Sequence, residues 1–184
     1  MASKSPNVQR LDEIQSRLAT LLKPLGFARR ARTFRRETEP GILQIIALEA
    51  GRFEIGPPLP EPVKHGRPND YGKFTVNLGV FVEEMYERTN PPRGAEQVIN
   101  DAHCCIRTRL SHITDNDDEW WSLTDHRDDL ADDISALLLH VGIPFLQRFR
   151  TREQIVKDWI GFNETDRHLT QVARLDVAIA AQTR

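Results

Sequence analysis

Leu11, Ile14, Leu18, Leu21, Leu22 and Leu25 recur every three or four positions among polar neighbours. That spacing predicts a helix over residues 8–25 with one apolar stripe. Ser5 and Pro6 supply an N-cap and a first-turn proline, and Pro24 with Gly26 ends the helix. The period then shortens. Residues 33–38 read as a strand, "EPG" at 39–41 as a turn, and "ILQIIALEA" at 42–50 as a second strand. The nearly continuous apolar run of the second suits a central strand buried on both faces. In "KFTVNLGVFVEEM" (73–85), Phe74, Val76, Leu78, Val80 and Val82 alternate with Thr75, Asn77, Gly79 and Phe81. This is a third strand, with Gly79 marking a bulge or a close backbone approach.

Further along, "CCIRTRLSHI" (104–113) sets Cys105, Arg107, Arg109 and Ser111 against Cys104, Ile106, Thr108 and Leu110. With "EWWSL" (119–123) it predicts a second strand pair, in which Trp120 and Trp121 point to opposite faces. A short helix is expected near 95–102. Leu130, Ile134, Leu137, Leu138 and Val141 form the buried stripe of a helix capped at Thr124 or Asp125 and ended by Gly142. Asp128, Asp129, Asp132 and Asp133 fall in its first half, where carboxylates favour the positive helix end. Pro144 opens a short segment, and Thr151 with Gln154 forms a capping box for a helix through Ile160. A last amphipathic helix spans 164–181. Residues 51–72, rich in Pro and Gly, form a long loop of the kind that often binds or moves.

These elements predict an α+β fold. An antiparallel sheet of about five strands packs against helices, and a C-terminal helical extension follows. The domain spans residues 8–150 and the extension 151–184. Its last helix, with Leu169, Val172, Leu175 and Ile179, either folds back or makes a homo-oligomer contact.

Composition narrows the setting. The 184-residue chain has a formal net charge of −2, so its overall field does not favour polyanions. The charge is uneven, with arginines crowding 29–36 and acids 115–133. The only cysteines are adjacent and staple nothing. No apolar leader segment opens the sequence, and no run approaches the roughly 20 apolar residues of a membrane helix. The expectation is a cytoplasmic protein with reduced thiols and no membrane.

Four segments taken in order carry a resemblance: "LLKPLGFARRARTFRRE" (21–37), "FTVNLGVF" (74–81), "CCIRTRLSHI" with "EWWSL" (104–123) and "VGIPFLQRF" (141–149). Together they resemble the bacterial family of uncharacterised proteins filed as domain of unknown function 4304, over about residues 8–150. The resemblance implies an α+β domain. It supplies no established activity and no catalytic residues.

The residues themselves offer little catalytic chemistry. No nucleophile elbow, phosphate-cradling glycine loop or His-Glu-x-x-His motif is present. "DDLAD" (128–132) is explained by helix-dipole chemistry, and "DNDDE" (115–119) lacks the glycine and terminal Glu of a calcium loop. His103, Cys105 and His112 lack ligand spacing. No metal and no cofactor are therefore assigned. Arginine is the over-represented functional side chain. Arg29, Arg30, Arg32, Arg35, Arg36, Arg107 and Arg109 are candidate ligand-binding residues, with Trp120 or Trp121 as a stacking surface. Charged side chains also protect an edge strand, and the acidic helix could neutralise these arginines internally. The leading expectation is a non-enzymatic protein-binding module, accessory or immunity-like, with a protein partner. The alternatives are nucleic-acid or phosphate-ligand binding through the arginine hairpin, and a hydrolase or transferase whose site is assembled only by the fold.

Overall fold

The computed structural model describes residues 4–51, 70–90, 98–114, 120–125 and 127–160. Helix α1 (Pro6–Leu22) opens on Ser5, whose hydroxyl accepts from the Val8 amide. A 3-10 turn, Lys23–Leu25, and left-handed Gly26 end it. Six antiparallel strands follow: β1 (Ala28–Arg30), β2 (Thr33–Glu39), β3 (Ile42–Ala50), β4 (Lys73–Val82), β5 (Ile106–Arg109) and β6 (Trp121–Ser122). The order is β1-β2-β3-β4-β5, and β6 also pairs with β4. The fold is therefore α+β, as the hydrophobic pattern predicts, with one strand more than expected.

The extra strand is β1. Arg30 pairs with Thr33 across the two-residue turn Ala31-Arg32, where Ala31 has a left-handed φ of 51°. Alanine is uncommon in that conformation, and neither turn residue announces a hairpin. The turn is held from below: Gln15, buried on α1, donates its side-chain amide to the Ala31 carbonyl. Among the described residues the outermost strand is thus β1 and not the Thr33–Glu39 strand.

Two other boundaries move. β4 stops at Val82, and α2 (Glu83–Thr89) begins where the alternation suggests more strand. Glu83 and Glu84 suit a first helical turn, and Met85 turns into the core. β5 and β6 do not pair with each other. Both run along one side of β4, at Asn77–Val80 and at Lys73–Phe74. A 3-10 turn at Asp101–His103 delivers the chain to β5. It reverses the expected cysteine alternation: Cys104 joins Ile45 and Phe81 on one sheet face, while Cys105 packs towards the opposite core.

One face of the sheet is the main core. Phe34, Ile46, Phe74, Leu78, Val80 and Ile106 meet Leu11, Leu18 and Leu22 of α1. They also meet a helical stretch, Leu130–Gln147, built from α3 (Leu130–Leu137), a π segment (Leu138–Gly142) and α4 (Ile143–Gln147). Burying each such side chain contributes about 1.5–3 kcal/mol. The stretch is long and apolar enough to cross a membrane by length and composition alone. Its inner side, Leu130, Ile134, Leu138 and Leu146, lies on the sheet.

The helix begins at Leu130, five residues after Asp125. Ser122 Oγ accepts from the amides of Thr124 and Asp125 and holds them in a turn. Nor does Gly142 end it. Pro144 cannot donate and crowds the preceding carbonyls, so the backbone widens to a π turn and continues. A Cβ at Gly142 would sit 3.1 Å from Leu110 and 3.4 Å from Leu78, so glycine is what permits the close helix–sheet approach.

α5 (Arg152–Ile160) follows, and its first turn is tied by the Gln154 amide donating to Thr151 Oγ1 at 3.2 Å. Ile155 is buried in the main core. Arg152 donates to Glu84 at 2.6 Å and to the Pro40 carbonyl at 2.8 Å, and pairs with Glu39 at 3.3 Å. Pro40 and left-handed Gly41 close the β2–β3 turn against this clamp. The last helix, expected at 164–181, lies outside the described residues, as do residues 52–69 and 115–119.

Candidate functional site

Strand pleat sorts the arginines. Arg35 is opposite Ala28 and Ile45, Ile45 opposite Gly79, and Gly79 opposite Arg107. Arg30 pairs with Thr33, which leads through Ala47 and Asn77 to Arg109. These two rows place Arg30, Arg35, Arg107 and Arg109 on the second face, away from α1. Arg29 pairs with Phe34 and Arg36 with Gln44, so both belong to the first face, and Arg32 sits in the turn. Four of the seven candidate arginines therefore share one face. The Arg35 and Arg107 backbones stand three strand spacings apart, about 14 Å.

Two different environments occupy that face. Across β3–β5, Ile45, Phe81, Ile99 and Cys104 form a small second core. Gly79 admits it: a Cβ there would lie 2.6 Å from Cys104 Sγ, which is the close approach expected of this glycine. Burial, more than the neighbouring Cys105 and Asp101, pushes the Cys104 thiol well above the usual range. Beside this seal, Asn77 donates to Glu49 at 2.8 Å and to Asp101 at 3.0 Å, and Arg107 pairs with Asp101 at 3.6 Å. Arg109 stands 5.1 Å from the Trp120 ring centroid, a cation–π distance. The tryptophans divide as expected: Trp121 is buried against Phe74 at 5.8 Å, and Trp120 is half-buried beneath the guanidinium.

Across β1–β2, Arg29, Arg30, Arg32 and Arg35 form no ion pair among the described residues, although Asp12 of α1 lies near enough to feel the charges of Arg32 and Arg29. Burial first, and the charge of Arg30 second, hold Arg35 below the usual guanidinium range. The alternative of internal pairing with the acidic helix is not met among the described residues. Asp132 pairs with Arg17 of α1 at 3.3 Å, and Arg127 takes Asp133 at 2.5 Å and Asp129 at 3.2 Å. α3 lies against α1, so its acids meet that helix and their own Arg127.

Arg36 serves the interior. Its guanidinium lies 4.5 Å from the Phe27 ring centroid, donates to Gln44 Oε1 at 2.5 and 3.1 Å, and reaches the Leu25 carbonyl at 2.8 Å. Gln44, fully buried, passes the link on by donating to the Leu146 and Phe149 carbonyls at 2.5 and 3.3 Å. Gln15 and Gln44, polar residues inside otherwise apolar stripes, escape a sequence reading that counts apolar periodicity. That mismatch was the available signal.

The remaining chemistry is dispersed. His103 Nδ1 accepts from the Asn100 amide, and Cys105 Sγ donates to the Val80 carbonyl. Among the described residues no group of His, Cys, Asp and Glu gathers as a metal site. The grooves beside α1 are lined by Gln9, Arg10, Glu13 and Thr124, and by Val8, Arg32 and Tyr71; they bring no His or Cys to an acid.

The described residues define an α+β domain with one antiparallel sheet, helices on one face and a partly sealed second face. Residues 64–148 match the family model described as Domain of unknown function (DUF4304), which bears out the resemblance over that span. The match takes in β4, β5, β6 and the long helix, and the arginine hairpin lies before it. No curated protein and no solved structure matches the chain.

Proposed function

We propose that the protein is a non-enzymatic binding module, acting in the cytoplasm, whose partner is a protein with an acidic surface that docks on the β1–β2 hairpin. One clustering carries the reading. Arg17, Arg107, Arg127, Arg148 and Arg152 each have a carboxylate within 4 Å. Arg29, Arg30, Arg32 and Arg35 have none among the described residues. Arg10, Arg36, Arg88 and Arg150 also lack one there, but of the described segments only the hairpin gathers four exposed or half-buried ones in one short run. Edge protection explains charge on β1, but it does not require four guanidiniums without an ion pair within seven positions. Arginine is favoured at binding hot spots because its flat, weakly hydrated head pairs with carboxylates in a forked geometry.

The test is a comparative capture from native cells with the full chain and an Arg29→Glu/Arg32→Glu variant. The reading expects one stoichiometric protein that survives moderate salt on the wild type and is lost from the variant. Retention by the charge-reversed variant, or no protein on either, overturns it. An eluate of nucleic acid stripped by salt would make the hairpin a phosphate-backbone grip instead.

A further inference from the structure

We infer that Arg30 and Arg35 form a two-guanidinium grip for a single dianionic group of the phosphate-monoester class on the second face of β1–β2. The inference rests on the reading above in placing the ligand at this hairpin, and it specifies the chemical group recognised.

The register supplies the geometry. Thr33 is opposite Arg30, and Arg35 is two residues further along the same strand on the same face. Such diagonal neighbours stand about 7–8 Å apart, within reach of long side chains. Two guanidiniums so placed repel each other, and Arg35 is disfavoured both by burial and by the charge of Arg30. Neither has a carboxylate to offset this among the described residues. A single carboxylate would neutralise one charge and leave the other. A phosphate monoester carries about −1.5 to −2 at pH 7 and three acceptor oxygens, so one group can take a fork from each arginine. A phosphodiester, with one charge, matches the pair no better than a carboxylate does.

The source is either a phosphorylated side chain on the protein partner or a free phosphomonoester. Titration of the full chain, followed through the arginine Nε–H resonances, separates them. Methyl phosphate at pH 7.5 is expected to shift the Arg30 and Arg35 signals saturably, at least tenfold more tightly than dimethyl phosphate. Arg35→Gln is expected to lose at least tenfold in affinity with an unchanged melting temperature. Equal binding of the two phosphates, or unaltered binding in Arg35→Gln, overturns the grip. A glycine-flanked phosphoserine peptide that binds tenfold more tightly than methyl phosphate assigns the grip to a phosphorylated protein; equal affinity assigns it to a free phosphomonoester. If methyl phosphate fails while the partner is still captured by wild type only, the grip alone falls. If methyl phosphate binds and no partner protein is captured, the protein-binding reading falls and the grip stands.

Discussion

Arg35 and Arg36 are neighbours in one strand, and the pleat sends them to opposite sides of the sheet. Arg36 is enclosed by the Phe27 ring, the Leu25 carbonyl and the buried Gln44 amide. Arg35 faces outward beside a second positive charge and has no carboxylate among the described residues. Residue type is the same, and so is strand. The difference lies in what each face meets. The first face is roofed by α1 and the Leu130–Gln147 stretch, so a polar group there must find partners inside the protein. Among the described residues the second face is covered by Ile99 and Cys104 over Gly79 and by Trp120 beside Arg109. Beyond that cover Arg35 meets no carboxylate among the described residues, and its guanidinium is offered to another group.

Substitutions can break this contrast, starting at its buried end. Gln44→Ala strips the acceptor from Arg36 and the donor from two buried carbonyls, and leaves a cavity. A loss of about 3 kcal/mol is expected in chemical denaturation. A loss no greater than that of Arg35→Ala would erase the distinction. Gly79→Ala forces a methyl group into Cys104 and should cost about 2 kcal/mol. Cys104→Ala in the same background should recover part of it, as measured by a double-mutant cycle.

The seal also has a pH signature. Burial raises the folded-state pKa of Cys104, so its contribution to stability is full below the ordinary thiol range. That contribution is lost as pH climbs beyond that range towards the raised folded value. Stability of wild type should therefore fall more steeply above pH 9 than that of Cys104→Ala, and alkylation of the folded protein should reach half-buried Cys105 first. At the small end stands Arg35→Ala, which removes a half-buried guanidinium without breaking an ion pair among the described residues. Its stability should stay within about 0.5 kcal/mol of wild type.

Much of the scaffold was legible because its signals are local and repeated. The leucines of α1, the β3 apolar run, the β4 alternation and the Thr151 cap each follow from a few adjacent residues. What escaped depended on distant partners. β1 is three residues long, and its turn relies on Gln15 from another element. The shared edge of β4 cannot be read from β5 or β6, because both are short and neither encodes its neighbour. Nor could the fates of seven arginines be separated beforehand. Alternation says that Arg35 and Arg36 part company, but only the positions of Phe27, Gln44 and α4 decide which side is roofed. A helix start at Asp125 follows from the acids alone, because they suit a first turn anywhere. Ser122 settles the matter by making a different turn first.

The tie between Gln44 and the Leu146 and Phe149 carbonyls spans 102 and 105 residues of chain. During synthesis the arginine hairpin leaves the ribosome long before either carbonyl exists. Arg36 and Gln44 must wait, hydrated, while β4, β5 and the long helix are made. This buried polar link closes only after residue 149 has been made, and the Arg152 clamp on Glu39 and Pro40 closes later still, so both ties form late in translation. Throughout that interval the outward arginines are already displayed on a strand that is not yet locked in place.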